Sequence, residues 1–254
     1  MKMKPIIIDV NEKNISQYPA ACFMNPAAEG YQKKLAWLNK RFSVGLKIKL
    51  LYFENDRKCH GFIEYIPAEN AWRAVEAPGY LFIHCLWIYP NAVKNKGYGS
   101  LLLKECIDEA KKQGKYGVAV VASDGAFIAR KDLFLKNGFQ TVETSGGFTL
   151  LVKPLKKGPL PKFRDWQKQL GKYKGLNIVY SNQCPWVARF IKEINEIIQA
   201  KGLKLKITEL STVRQVQAAP SIYGVFTLLR DGRILADHYI SQRRFLNIMN
   251  KDLK

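Results

Sequence analysis

Apolar residues along the chain recur with two periods. The stretch "PIIIDV" (residues 5–10) is a short strand-like run, and "LKIKLLYFE" alternates before the polar turn "NDRKCHG" and a second run, "FIEYIP". That pair predicts a hairpin. Residues 11–41 have mostly helical spacing, with a break at "FMNPAAEG". "GYLFIHCLWIYP" (residues 79–90) is nearly all apolar, which suits a central strand covered on both faces. From Tyr98, the residues Leu102, Cys106 and Ala110 recur every four positions while Lys104, Glu105, Asp108 and Lys111 fall elsewhere, so an amphipathic helix is predicted up to Gly114. "YGVAVVAS" then gives another buried strand, and "ARKDLFLKNGF" a helix stopped by Gly138.

The last hundred residues have a different rhythm. "LNIVYS" is a strand, "CPWVARFIKEINEIIQAKG" an amphipathic helix with Val187, Phe190, Ile194 and Ile197 inward, and "LKLKITEL" a further strand. These three imply a βαβ unit. The polar helical stretch "STVRQVQA" follows, then two strands joined by an Asp-Gly turn in "YGVFTLLRDGRILADHYIS", and a final helix from Ser241. Between the two parts, "VKPLKKGPLPKFRDW" carries three prolines, a glycine and a cluster of bases, which is linker composition. The expected domains are therefore residues 1–158 and 159–254.

Charge sharpens that division. The chain has 254 residues and a formal net charge of +20. Residues up to Lys153 hold 22 Lys and Arg against 14 Asp and Glu, net +8, whereas residues from Pro154 hold 19 against 7, net +12. Such a balance favours polyanions without choosing among nucleic acid, cofactor phosphates and an acidic substrate. No apolar run approaches the roughly 20 residues of a membrane span, and the amino terminus turns polar too soon for a secretory signal. A cytoplasmic location is the default expectation. The five cysteines are odd in number and widely spaced, with no C-x-x-C pair, so free thiols and no metal site are expected.

Chemistry concentrates at "NAVKNKGYGSLLLKECIDEAKK" (residues 91–112), where Lys94, Lys96 and Lys104 surround Gly97 and Gly99 at a helix start. A strand, a glycine turn and a helix together favour an anion, because the first backbone N–H groups of a helix lack partners and carry the positive end of its dipole. Two common phosphate loops do not fit: G-x-x-x-x-G-K-[ST] is absent, and Leu102 occupies the third glycine of G-x-G-x-x-G. The spacing is K-x-x-G-x-G.

In that spacing the stretch "LWIYPNAVKNKGYGSLL" resembles the GNAT superfamily of N-acetyltransferases, whose hallmark is an apolar strand ending V-x-P, then [QR]-x-x-G-x-[GA] opening a helix. Lys94 stands where the family usually has Gln or Arg. "LFLKNGF" (residues 133–139) resembles the second signature, Y-x-x-x-G-F, with Phe134 in place of the tyrosine that often serves as acid. The resemblance covers about residues 1–153. It implies an α/β acyl-CoA N-acyltransferase fold with a mixed central sheet, acetyl-CoA as cofactor, and direct attack by an amine from a small molecule or peptide. The pyrophosphate is expected on Lys94, Asn95, Lys96, Gly97, Tyr98, Gly99 and Ser100. The pantetheine arm is expected along Leu86, Trp87 and Ile88, with Phe134 also near the cofactor. Candidates for proton transfer are His84, whose ordinary pKa suits neutral pH, Glu64 on the neighbouring hairpin strand, and Cys85, in register with a carboxylate of many relatives. Tyr18, Tyr31 and Trp37 are candidates for the acceptor side, with ordinary helix packing as the competing expectation.

The second part resembles the thioredoxin fold, with Cys184-Pro185 at the first helix start and Pro220 where that fold usually carries a cis peptide. Val187 replaces the second cysteine. Within the GNAT resemblance, this tail is similar to the YoaP-like domain appended to some bacterial acetyltransferases. Cys184 is then either a nucleophilic thiol or a relic in a domain that shapes the acceptor site or binds a partner. A non-catalytic acyl-CoA-binding or nucleic-acid-binding protein is the competing functional class, and the oligomeric state is left open.

Overall fold

The structure is a computed structural model describing residues 4–20, 22–125 and 127–252. Its larger sheet is built from β1 (Pro5–Val10), β2 (Lys47–Phe53), β3 (Gly61–Pro67), β5 (Tyr80–Ile88), β6 (Gly117–Ser123), β7 (Gln140–Ser145) and β8 (Phe148–Pro154). Two short strands, β4 (Val75–Glu76) and β9 (Lys162–Phe163), pair separately. The seven strands run in the order β1-β2-β3-β5-β6-β8-β7, antiparallel throughout except where β5 meets β6. The sheet is therefore mixed, with the long apolar strand at its centre.

Helix α1 (Glu29–Phe42) lies between β1 and β2 in the chain, and α2 (Tyr98–Lys112) and α3 (Lys131–Lys136) complete this part. The stripe expected on α2 is its buried face: Leu102, Leu103, Cys106 and Ala110 are sealed against Leu51, Ile63, Leu81, Ile83 and Val120 of the sheet. Polar contacts fix α2 as well. Lys49 on β2 reaches Asp9 on β1 at 2.9 Å and Glu105 on α2 at 3.1 Å, so the helix that opens at the glycine turn is tied to two strands. Residues 11–28 are less helical than their spacing suggested. A single 3-10 turn, Ile15–Gln17, precedes an irregular segment in which Cys22 and Phe23 take positive φ of 50° and 59°. Pro19 and Pro26 lack the N–H that a continuous helix needs, which explains the interruption.

The remaining elements are β10 (Leu176–Tyr180), α4 (Pro185–Ala200), β11 (Leu205–Glu209), α5 (Val213–Gln217), β12 (Phe226–Arg230), β13 (Arg233–Ala236) and α6 (Gln242–Asp252). They form a four-stranded sheet in the order β11-β10-β12-β13, with β10 and β11 parallel and the other neighbours antiparallel. Its core gathers around Phe190, whose ring meets those of Phe226, Tyr239 and Phe245 edge-on. The Asp-Gly turn forms as expected, with Asp231 and Gly232 both at positive φ. Thr212 caps the start of α5 through a capping box with Gln215. Among the described residues the cis peptide bond is Tyr89–Pro90, and the bond before Pro220 is not cis.

Chain contacts divide the molecule into two compact units. One comprises the chain up to Phe23, Leu38–Ala71 and Val75–Phe163; the other comprises Met24–Trp37, Trp72–Ala74 and the chain from Arg164. A linear cut at residue 158 thus omits two short N-terminal segments that group with the later residues.

Candidate active site

The functional geometry begins with an extra residue. Strands β3 and β5 pair from Gly61↔Ile88 to Glu64↔Cys85, then resume at Tyr65↔Ile83, so His84 is the additional residue of a bulge on β5. The bulge resets side-chain alternation. Leu81 and Ile83 before it and Leu86 after it all belong to the core beneath α2. His84 is thereby free to join Phe62 and Glu64 on the opposite face. His84 Nδ1 lies 3.1 Å from Glu64 Oε1, with the two side chains 0% and 2% exposed. The Phe82 ring stands edge-on to the imidazole at 6.0 Å. Two of the expected proton-transfer residues are therefore one hydrogen-bonded pair, and the third, Cys85, is half-buried at the strand position opposite Glu64. A carboxylate beside one ring nitrogen fixes the tautomer, because Nδ1–H must point at it and Nε2 is then the basic nitrogen.

The same bulge ends a ladder. β5 pairs with β6 from Tyr80↔Gly117 to Ile83↔Val120 and no further, although β5 runs on to Ile88 and β6 to Ser123. Beyond Val120, β6 pairs with β8 alone. Leu86, Trp87 and Ile88 thus lie where the two central strands part, which is a geometry that admits an extended ligand between them.

The chain then turns through Asn91–Val93 into Lys94, whose N–H donates to the Asn91 carbonyl at 3.0 Å. Asn95 and Gly97 take positive φ of 61° and 85°, and α2 opens at Tyr98 with no side chain capping it. A Cβ built on Gly97 meets nothing within 4 Å, whereas one on Gly99 comes within 3.3 Å of the Leu133 side chain. Gly97 therefore faces open space in a conformation that glycine favours, whereas a side chain at Gly99 would press on Leu133. An uncapped helix start beside open space fits a diphosphate. Lys94 and Lys96 are exposed there, with Lys94 Nζ 5.5 Å from the Trp87 ring centre. Lys104 is engaged elsewhere: Asp108 accepts from its ammonium at 2.5 Å and holds its pKa above the ordinary value. Ser100 accepts from Asn137 at 3.0 Å, which ties the turn to the end of α3. The Tyr98 ring packs on Phe53 at 4.9 Å.

Phe134 is sealed in the core, its ring 5.4 Å from Phe139. Burial gives it a packing role at the position where an acid was sought. Tyr31 and Trp37 are likewise buried, and Tyr18 lies against Tyr52 at 6.1 Å. Sequence reasoning missed the aromatic group made by Phe23 with Phe62 at 5.9 Å and with Tyr89 at 5.1 Å. Its signal was the paired aromatics on β3 and β5, Phe62 opposite Trp87. In the other unit, half-buried Cys184 is the N-cap of α4, followed by Pro185 and, in its first turn, a fully buried Val187. Among the described residues, no group of three or more His, Cys, Asp or Glu is placed to hold a metal ion, and no helix is long and apolar enough to cross a membrane.

The acetyltransferase (GNAT) family model matches residues 13–139, which contain the bulged strand, the glycine turn and the Phe134 segment. The chain belongs to the GNAT acetyltransferase family. As a member it is an acyltransferase, using acetyl-CoA to acetylate an amine. It is also similar to an N-acetyltransferase of Bacillus subtilis (strain 168), YoaP, at 27% identity over 250 residues, covering 96% of this chain and 98% of that protein. Among solved structures, similarity extends to an IAA acetyltransferase from Bacillus cereus ATCC 14579, at 14% identity and a TM-score of 0.42, covering 60% of this chain and all of that one. YncA of Salmonella typhimurium, solved with its cofactor acetyl-CoA, matches at 19% identity and a TM-score of 0.43, covering 63% of this chain and 98% of that one.

Proposed function

We propose that this GNAT enzyme transfers an acetyl group by direct attack of a neutral primary amine, with the Glu64–His84 pair as the base that removes the amine's proton. The observation that carries the proposal is the buried 3.1 Å contact between the two side chains at the bulge where β5 leaves β6. Proton abstraction needs a basic nitrogen of fixed orientation, and a carboxylate on Nδ1 supplies that orientation while compensating the positive charge the ring gains. Both partners are withdrawn from water, where such compensation is strongest.

The acyl donor would lie between β5 and β6, its pantetheine arm paired to the main chain of Leu86, Trp87 and Ile88. One of those N–H groups would stabilise the oxyanion that forms as the amine attacks the thioester carbonyl. The pyrophosphate would sit on the N–H groups from Lys94 to Ser100, with Lys94 and Lys96 adding charge. Phe134 has no proton to give the departing thiolate, so that step is served from elsewhere. Residues from 159 onward fit a thioredoxin-like, YoaP-type accessory domain, a reading supported by the sheet order β11-β10-β12-β13 and by the position of Cys184 at the start of α4. Without a second cysteine near it in sequence, its expected role is acceptor binding or partner contact rather than a dithiol cycle.

The test is release of CoA thiol from acetyl-CoA with a panel of primary amines, comparing the native chain with His84→Gln. Turnover in the native chain that falls at least a hundredfold in a folded His84→Gln supports the proposal. Equal turnover in both sinks it.

A further inference from the structure

Resting on the reading of the glycine turn as the diphosphate site, we infer that His60 and Asp56 are positioning residues for acetyl-CoA, holding both ends of that turn in the shape that receives the diphosphate. The turn leaves β5 at Tyr89 and enters α2 at Tyr98. At its entry, the Tyr89 N–H donates to the His60 carbonyl at 2.8 Å. At its exit, the Tyr98 ring meets Phe53 at 4.9 Å, and Phe53 meets the His60 imidazole at 4.7 Å. One buried residue thus reaches both ends, through its main chain and through its ring. Between those ends Asn95 and Gly97 are left-handed and no side chain caps α2, so anchors at the ends bear on where its first N–H groups point.

Asp56 fixes the His60 ring. Its Oδ2 lies 2.7 Å from His60 Nε2, its Oδ1 accepts from the Lys58 N–H at 2.8 Å, and its own N–H donates to the Phe53 carbonyl at 3.0 Å. The Lys58 N–H and then the His60 ring hold its carboxyl below the ordinary pKa, so the carboxylate is charged at neutral pH and Nε2–H must point at it. In the neutral ring Nδ1 is then a bare acceptor, and among the described residues it is buried with no partner. A buried polar atom without a partner costs stability, and an apolar ring packed on Phe53 would avoid that cost. What the imidazole adds over such a ring is its bond to Asp56. A turn held ready in this way loses less freedom when it closes on a ligand.

The experiment compares two donors on the full chain: acetyl-CoA by calorimetry, and S-acetylpantetheine, which lacks the diphosphate, by ligand-observed NMR. In His60→Phe and in Asp56→Ala, acetyl-CoA is expected to bind about five- to tenfold more weakly while S-acetylpantetheine stays within about twofold. His60→Phe should melt no lower than the native chain, and Asp56→Asn, which keeps an acceptor for Nε2–H, should restore most of the acetyl-CoA affinity. A role in folding alone would instead weaken both donors together and lower the melting temperature. Unchanged acetyl-CoA affinity in folded His60→Phe and Asp56→Ala, or equal losses for the two donors, overturns the inference. Gly97→Ala separates it from the reading of the turn. If that variant weakens acetyl-CoA and the His60 and Asp56 variants do not, the turn stands and the positioning pair falls; if Gly97→Ala also leaves affinity unchanged, the diphosphate lies elsewhere and both fall.

Discussion

His84 is the extra residue of the β5 bulge, and Glu64, the β3 residue paired with neighbouring Cys85, brings its carboxylate to His84 Nδ1 at 3.1 Å. Glu64→Gln keeps the shape but removes the negative charge that favours the protonated ring. We expect kcat to fall by about tenfold to a hundredfold, with the KM for acetyl-CoA little changed. In His84→Ala the loss should shrink as pH rises, because more of the acceptor is then neutral without help. A deficit of constant size from pH 6.5 to 10 would argue that the pair is structural. Either substitution removes a contact between two buried side chains, so each variant's melting is to be followed beside its kinetics.

The two glycines of the turn should fail differently. Gly97→Ala meets no neighbour but must hold φ of 85°, so about 1–2 kcal/mol of strain is expected, and the new methyl enters the space assigned to the diphosphate. Its signature is weaker acetyl-CoA binding in a chain that remains folded. Gly99→Val drives into Leu133 and should lower the melting temperature first. Unchanged acetyl-CoA affinity in folded Gly97→Ala would remove the diphosphate from this turn.

Alkaline stability should depend on Cys59. Burial raises its thiol from the ordinary 9.0 to about 11, with the Gly61 carbonyl accepting its S–H at 3.3 Å. The folded chain thus favours the neutral thiol. Its contribution is complete below pH 9 and is lost as pH rises through about 11, amounting to about 2–3 kcal/mol at most. Cys59→Ala should flatten the fall in stability between those values, measured by denaturant unfolding at pH 8 and pH 11. Tyr65, whose pKa burial also raises, will keep part of the slope. An unaltered slope in Cys59→Ala would show that the thiol ionises alike in both states.

In the second unit Phe190 bears three ring contacts and no exposure. Phe190→Ala is expected to cost about 3–5 kcal/mol of that unit's stability. Hydrogen exchange read separately over β10–β13 and over β1–β8 would localise the loss. A loss shared evenly by both groups of strands would mean that they unfold together.

How far the sequence disclosed this architecture varied with the kind of signal. Strand and helix positions followed the apolar spacing closely: Leu102, Cys106 and Ala110 are all buried, and "GYLFIHCLWIYP" is the central strand. Glu64, His84 and Cys85 were nominated singly because a one-dimensional pattern does not say which residues share a face across a bulge. A trace of the bulge is nonetheless there. Leu81 and Ile83 keep one phase, and Leu86 and Ile88 keep the other, so the phase slips at His84 and Cys85. The irregular segment through Phe23 was harder, since its conformation comes from prolines and left-handed residues that leave no period. Assignment of residues 24–37 and 72–74 to the later unit rests on contacts distant in sequence, which no linker composition near Pro159 reveals.

Among the described residues, the four residue pairs joining β5 to β6 are also the ladder that holds together two blocks of the large sheet, β1-β2-β3-β5 and β6-β8-β7. Seven pairs join β6 to β8, so the seam with fewer rungs lies on the β5 side of β6. A donor strung between the blocks would supply missing rungs, making loading and sheet rigidity one event. Those amides of residues 84–88 that face the gap rather than β3 should then exchange with solvent faster in the empty enzyme than in the loaded one, and an acyl donor would act as mortar for the wall that encloses it.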